Sequence, residues 1–335
     1  VNILVTGATG FLGSHLTTAL LTQGHQLTLL GRDFTSIQPQ LAAGARRLRV
    51  DLRDRAAVMA ACAGQDLVYH VGALSTAWGR WDDFYQTNVE GTRAVVDGCL
   101  HHRVGRLLYV SSPSVIFTGR DHCEIDESCP YPRHFSSAYA ATKKLGEDLV
   151  NAAYRQGLPT VILRPKAIFG PGDRALLPRL IARARQKRLP QIGNGHNLVD
   201  LTYVDNVVHA LLLAATADAA VGKSYFITNG EHCLLWPTIR RVLTTLQLPT
   251  ALRRIPVGVA LLIARLLELN AQRTGREPLL TRYTVGILAR TQTYNISAAQ
   301  HDLGYQPLVT VAEGLARTLT ALFEADRTPA EGTTE

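Results

Sequence analysis

An α/β fold is predicted for this chain, a doubly wound parallel sheet carrying a smaller, discontinuous, mainly helical lobe. Three observations predict it. Val1–Thr6 is a short apolar run that leads straight into glycines at Gly7, Gly10 and Gly13. Strand-like runs then recur at Gln26–Leu30, Arg47–Val50, Asp66–Val71, Arg106–Ser111 and Thr160–Leu163, each followed by a helical stretch, the alternation expected of βαβ units. Beyond Arg164-Pro165 the alternation loosens, and Gly170-Pro171-Gly172, Pro178, Pro190 and Gly193 mark loops around one helix near Leu176–Lys187.

Each element has its local reason. In the first helix Phe11, Leu12, His15, Leu16, Ala19 and Leu20 recur at helical spacing up to Gly24, a C′ stop. Trp81–His102 puts Phe84, Asn88, Gly91, Val95 and Cys99 on related faces, and Ser136–Tyr154 is a second long helix. Leu201–Val208 reads as a return to the sheet, a strand end followed by Asp205 at a helix N-cap. Ser224–Thr228 is a further strand, and from Trp236 onward the chain is mainly helical. The expected division is residues 1–165 with 201–230 for the sheet domain, 166–200 with 231–325 for the lobe, and a frayed tail at 326–335.

A strand, three glycines and a helix in that order are a cradle for a dinucleotide pyrophosphate, as in a Rossmann unit. Gly7 allows the tight turn, Gly10 removes a side chain where the diphosphate approaches, and Gly13 lets the helix pack close to the sheet. The helix N-terminus then offers unpaired N–H groups and the positive end of its dipole.

Composition bounds the partners. The net charge is +8, but the basic residues are scattered, with one short cluster over Arg179–Arg188 and no aromatic interleaving, so no nucleic-acid partner is expected and attraction of anionic small molecules is the milder reading. Five cysteines, Cys62, Cys99, Cys123, Cys129 and Cys233, are odd in number and isolated, which suits a reducing cytoplasm better than a disulfide frame or zinc site. The chain opens on its first strand, with no signal peptide expected, and no stretch reaches the roughly 18 apolar residues of a membrane span. His70 and His101-His102 lack ligand spacing, and no metal is expected.

The chemistry is carried by Tyr139 and Lys143, four residues apart at the start of a helix and therefore on one face. A free phenol, with a pKa of about 10, is a poor acid near neutrality. An ammonium about 4 Å away, at an effective dielectric of about 20, would favour the phenolate by up to ~4 kcal/mol, about three pKa units, making Tyr139 a general acid/base. An ordinary packed tyrosine beside a solvated lysine is the alternative. Tyr109-Val110-Ser111-Ser112-Pro113-Ser114 places hydroxyls at the C-terminal edge of the sheet, where such folds bind ligands. Ser112 is the choice for holding a substrate oxygen, with Ser111 and Ser114 as alternatives.

With these residues the sequence resembles the extended short-chain dehydrogenase/reductase superfamily over nearly all its length. Thr6-Gly7-Ala8-Thr9-Gly10-Phe11-Leu12-Gly13, Asp51-Leu52-Arg53-Asp54, His70-Val71-Gly72-Ala73, Asn88, Ser111-Ser112, Tyr139-x-x-x-Lys143 and Arg164-Pro165 occur in the superfamily's order; Gly72 stands where alanine is usual. Within it the chain resembles the 3β-hydroxysteroid dehydrogenase branch through Ser112–Phe117, Arg164-Pro165-x-x-Ile168-Phe169-Gly170-Pro171-Gly172-Asp173, Gly193–Asp200 and Gly304-Tyr305-Gln306-Pro307. That branch includes sterol-4α-carboxylate 3-dehydrogenases and bacterial 2-alkyl-3-oxoalkanoate reductases of olefin synthesis. The segments Ala77–Tyr85 and Gly275–Arg282 look more like the bacterial reductases.

The resemblance implies that Tyr139 transfers a proton, that Lys143 binds the nicotinamide ribose and lowers the tyrosine pKa, and that Ser112 orients the substrate. It implies a cofactor site at Gly7, Thr9, Gly10, Phe11, Leu12, Gly13, Arg32, Asp51, Leu52, Val71, Gly72, Ala73, Tyr139, Lys143, Pro165 and Ile168. Asp51 either contacts the adenine or caps the next helix. At the end of the second strand, Gly31 has no carboxylate for a ribose 2′-hydroxyl and Arg32 can pair with a 2′-phosphate, so NADP(H) is expected over NAD(H). Asp33 opposes this, by neutralising Arg32 or taking the ribose.

Pro256–Leu267 is apolar on most sides, and either packs within the lobe, forms a lid over a lipid-like substrate, or lies at a membrane interface. Trp78, Trp81, Phe117 and Phe169 are either pocket walls or ordinary core. The expected function is an NAD(P)-dependent oxidoreductase interconverting 3-oxo and 3-hydroxy groups on a bulky apolar substrate of the 2-alkyl-3-oxoalkanoate or 3β-hydroxysteroid type. The alternatives are a nucleotide-sugar epimerase or dehydratase and a non-catalytic dinucleotide-sensing protein. Relatives often dimerise through helices equivalent to Trp81–His102 and Ser136–Tyr154, which implies a homodimer.

Overall fold

The computed structural model describes residues 1–35 and 44–327. Its core is a sheet of seven parallel strands, β1 (Asn2–Thr6), β2 (Gln26–Gly31), β3 (Ala45–Arg49), β4 (Leu67–His70), β5 (Arg106–Val110), β6 (Thr160–Pro165) and β7 (Ser224–Ile227). Their spatial order is β7-β6-β5-β4-β1-β2-β3. The order reverses between β1 and β4, the place where a doubly wound sheet opens a crevice at its strand ends. Central strands are buried on both faces, as β1 with Ile3, Leu4 and Val5 and β5 with Leu107, Leu108 and Tyr109 show.

Helices cover both faces: α1 (Phe11–Thr22), α2 (Arg55–Ala61), α3 (three successive segments, Trp81–Phe84, Tyr85–Glu90 and Gly91–His101), α4 (Ala138–Arg155) and α6 (Val204–Thr216), with α5 (Leu177–Arg185) between the last two in sequence. The middle segment of α3 is π-helical, and it carries Asn88, whose amide clamps the Leu74 backbone on both sides (2.7 and 3.0 Å) and accepts no compromise in register because it also reaches Thr142 on α4. Gly24 ends α1 as expected, at φ +77°. Part of the helical stretch expected between β2 and β3 lies outside the described residues, as does most of the tail at 326–335; α11 (Val311–Arg327) runs to the end of the described chain.

The lobe holds more strand than the sequence suggests. Leu198–Asp200 pairs with His232–Leu234 on one side and Gln292–Tyr294 on the other, and His122–Ile125 closes a four-stranded sheet. The helices that follow are α7 (Leu235–Thr245), which packs on the His232–Leu234 strand, α8 (Val257–Thr274) and α9 (Arg282–Ala289), which pack on each other, and α10 (Ser297–Leu303), which packs on β7 and α6. These strands are too short to leave a visible alternation, and their register is set by partners far along the chain.

Two expectations around Leu201–Val208 are corrected. Thr202–Tyr203 pairs with Ile168–Phe169 in a separate two-stranded ladder and does not rejoin the main sheet. Asp205 lies inside the first turn of α6, after an N-cap at Tyr203, and reaches across to His15 of α1 (3.3 Å). Its carboxylate still favours the helix N-terminus, but through the dipole and not as a cap.

Candidate active site

At the C-terminal edge of β1, β2 and β4 the backbone itself shapes a cradle. Gly7 has φ +68°, and a Cβ there would come within 2.5 Å of Gly72 Cα. A Cβ on Gly13 would stand 2.1 Å from the Gly7 carbonyl oxygen, so only glycine lets α1 start this close to β1. Gly10 differs: its Cβ would meet nothing nearer than 3.2 Å, so its lack of a side chain serves the space in front of it. Gly10 is the N-cap of α1, with no side-chain cap and no acidic residue in the first turn. The first N–H groups of α1 are therefore left for an anion, which is what a dinucleotide pyrophosphate requires. These residues fit the group.

The adenosine end follows. Gly31 is packed against Thr9, whose Cγ2 would lie 2.6 Å from an added Cβ. Arg32 is exposed and makes no ion pair with any described residue, while Asp33 turns away to accept from the Thr35 N–H (2.9 Å) and hydroxyl (3.0 Å). Asp33 thus does not neutralise Arg32. Asp51 takes a bidentate contact from Arg53 (both 2.9 Å), which, with Arg32 adding to the field, keeps its carboxyl below the ordinary range. Its alternative as a helix cap is excluded, because Asp54 caps α2 through the Ala57 N–H. A Cβ at Gly72, where alanine is usual, would stand 2.9 Å from Leu52 Cδ1.

These residues open onto one cleft of about 730 Å³. Gly7, Thr9, Gly10, Phe11, Leu12, Gly13, Arg32, Asp51, Leu52, Val71, Gly72, Ala73, Ser112, Tyr139, Pro165 and Ile168 all line it; Lys143 is the exception, buried behind the wall. Ser112 follows β5 and caps the short 3-10 turn Pro113–Ile116, its Oγ accepting from the Ser114 N–H (3.2 Å). Tyr139 comes from the first turn of α4, which is capped by Ser137 through the Ala140 N–H (3.1 Å). The Ser112 hydroxyl lies within hydrogen-bonding reach of the Tyr139 phenol and eases phenolate formation.

The charge balance differs from expectation. Burial pushes the Tyr139 phenol up to about 12, and Ser112 offsets this only in part. Burial likewise brings Lys143 down to about 7, against the pull of Glu147 one turn on. The Lys143 ammonium lies 3.9 Å from the centroid of the Tyr109 ring, so it faces a different aromatic and does not draw Tyr139 down. Glu147 itself is gripped by Arg164 of β6 through two bonds (2.8 and 2.7 Å) and by the Tyr131 hydroxyl (2.6 Å). Behind Tyr109, His70 is held neutral, well below its usual range at about 3, by burial and by Lys143.

The cleft wall also takes in Leu235, Ile239 and Val242 of α7 and Ile287 and Leu288 of α9, an apolar stretch that Arg179 and Arg183 of α5 border. Of the four aromatics considered as walls, Phe169 lines the cleft. Trp81 is instead an exposed partner of Tyr85, and Phe117 is buried behind Tyr283 at 6.3 Å between ring centroids. Tyr283 and Lys166 were missed from the sequence. Tyr283 brings a second phenol into the cleft; burial pushes it well up, the neighbouring Tyr139 adds to the rise, and the Ser114 hydroxyl offsets it only in part. Lys166 lines the cleft beside the small sheet, donating to Gln292 Oε1 (2.6 Å), and burial lowers it to about 8. The available signal was adjacency: Lys166 directly follows Arg164-Pro165, and Tyr283 directly follows Gly275–Arg282.

Residues 4–253 match the 3-beta hydroxysteroid dehydrogenase/isomerase family. The chain belongs to that family. It is a nicotinamide-dependent oxidoreductase of the extended short-chain dehydrogenase/reductase type. It is 41% identical over 327 residues to a 2-alkyl-3-oxoalkanoate reductase of Stenotrophomonas maltophilia, covering 95% of this chain and 98% of that protein. It is 34% identical over 328 residues to a decarboxylating sterol-4-alpha-carboxylate 3-dehydrogenase of Mus musculus, covering 94% and 89%. Among solved structures, MoeE5 in complex with UDP-glucose and NAD shares the fold, with a TM-score of 0.77, 24% identity and 97% and 99% of the two chains covered.

Proposed function

We propose that this family member reduces the 3-oxo group of a bulky apolar substrate of the 2-alkyl-3-oxoalkanoate type, with NADPH preferred over NADH. The observation that carries this reading is the Ser112–Tyr139 pair at the junction between a glycine cradle and an apolar pocket. The relative at 41% identity carries the name of that activity, and the apolar wall of α7 and α9 suits an alkyl chain better than a sugar diphosphate. Arg32, with no ion pair among the described residues, supports the preference for a 2′-phosphate.

The nicotinamide, when bound, supplies the hydride. Ser112 donates a hydrogen bond to the substrate carbonyl oxygen, polarising it. Tyr139, protonated over the whole neutral range with its pKa near 12, gives its proton to the same oxygen as the alkoxide develops. Lys143, buried behind the cleft wall against Tyr109, must turn from that ring to reach the ribose when the cofactor binds, and as the ammonium it then brings positive charge toward the phenol. Tyr283, with Ser114, orients the part of the substrate next to the reacting carbon. In the reverse direction Tyr139 must first lose its proton, which its burial opposes.

The test is a panel of 2-alkyl-3-hydroxyacids, 3-hydroxysteroids and UDP-sugars assayed with both oxidised cofactors, the hydroxyacids being the stable partners of the reaction. Turnover of hydroxyacids with NADP+ is expected; turnover confined to UDP-sugars would overturn the reading. A lower Kd for NADH than for NADPH would overturn the cofactor preference.

A further inference from the structure

Helix α8 is apolar on two opposite faces. Inward, Ala260, Ala264 and Ala271 are buried and let the helix lie close on the lobe. Outward, Val259, Leu262, Ile263, Leu266 and Leu269 stay between 39% and 60% exposed. Their spacing of three and four places them on one stripe of the helix. A single exposed leucine is ordinary, whereas a contiguous apolar stripe marks a surface that something covers.

The charge around the stripe says what that is. Arg253 and Arg254 precede the helix, and Arg265 and Arg273 stand exposed along it. Its one acid, Glu268, is buried and engaged by Arg282 at 2.7 Å. The exposed side of α8 thus combines large apolar residues with arginines and carries no acid. A second copy meeting this face across a two-fold axis would bring arginine rim against arginine rim, which is unfavourable. An anionic lipid surface meets both requirements at once, taking the leucines into the acyl boundary and the guanidinium groups at the headgroups.

The stripe also leads to the cleft. The loop after α8 is tied to α5, whose Arg183 donates to the Leu279 carbonyl and whose Arg179 pairs with Glu277 at 3.5 Å. Both arginines line the cleft, and Leu279 and the cleft residue Leu176 are exposed beside them. We propose that α8 docks the protein on an anionic lipid surface, with the cleft mouth at the boundary from which an apolar substrate enters. The docking stands without the reaction; its use for substrate entry rests on the reading that the substrate is apolar.

Flotation with phosphatidylglycerol-containing vesicles, against pure phosphatidylcholine vesicles, tests it and needs no turnover. The full chain is expected to float with the anionic vesicles, and Leu262→Glu with Leu266→Glu to remain in solution. Arg265→Gln with Arg273→Gln is expected to weaken partition about thirtyfold, two basic residues at about a factor of five to six each. Thermal unfolding of the variants should match the parent, because all four positions are exposed. Absence of flotation by the parent, or unchanged flotation of the leucine variant, would overturn the proposal. So would a dimer that the leucine variant converts to monomer, since the face would then be covered by a second copy.

Discussion

In the nucleotide half of the cleft, the surface that faces the ligand is backbone, and its fit comes from what Gly7, Gly10 and Gly13 lack. In the substrate half it is side chains, brought by α5, α7, α9 and the residues after β5 and β6 from places more than a hundred residues apart. The first half is built by one strand, one turn and one helix, so a local rule governs it. The second exists only when distant segments pack. Tyr139 stands where the two meet, and its environment belongs to the second half: burial decides its proton affinity, although its position follows from local spacing.

The sharpest way to break this comparison is at the junction. Tyr139→Phe is expected to lower turnover about a thousandfold, within the range typical for loss of a general acid, while the NADPH Kd from fluorescence titration stays within about twofold. A large rise in that Kd would mean that Tyr139 is part of the cradle and not of the chemistry.

Lys143→Met should lower turnover about a hundredfold and yet stabilise the fold. The folded lysine titrates near 7 because it is buried, whereas in the unfolded chain it holds its proton to about 10. Between those values the unfolded state binds more protons, so the burden of the buried charge is full below pH 7 and disappears toward pH 10. Melting temperatures of parent and variant should therefore differ most at or below neutral pH and converge in alkali. A constant difference across that range would show that Lys143 is not titrating as described.

Two smaller effects separate the halves. Arg32→Ala should weaken NADPH about tenfold and leave NADH unchanged, the loss of one charge-assisted contact to a phosphate. Tyr283→Phe should raise KM for the oxoacid about fivefold with little change in kcat or in cofactor Kd, as expected for one substrate hydrogen bond. An equal loss in kcat would give Tyr283 a part in proton transfer. The pH profile adds a further check. With the phenol near 12, oxidation should climb with pH because only oxidation needs the phenolate, whereas reduction should fall as pH rises through about 7 and Lys143 loses its charge.

Much of the fold was legible because parallel strands buried on both faces leave continuous apolar runs, and because Gly24 and the glycines after β1 are required by turns that only glycine makes easily. The four-stranded sheet of the lobe was not, since His122–Ile125 and Leu198–Asp200 are short and pair with strands far away in sequence. Asp51 could be read two ways until the structure gave the cap of α2 to Asp54. Phe117 and Trp81 could be read as pocket walls or as ordinary aromatics, because aromatic character says nothing about direction.

The sequence by itself determined the cradle, the positions of the main strands along the chain and the helical spacing of Tyr139 and Lys143, because each is a property of neighbours along the chain. Tertiary structure alone decided that Lys143 faces Tyr109 and not Tyr139, that Lys166 and Tyr283 reach the cleft, and that α8 shows its leucines to solvent. These depend on desolvation and on which distant surfaces meet, and spacing along the chain carries neither.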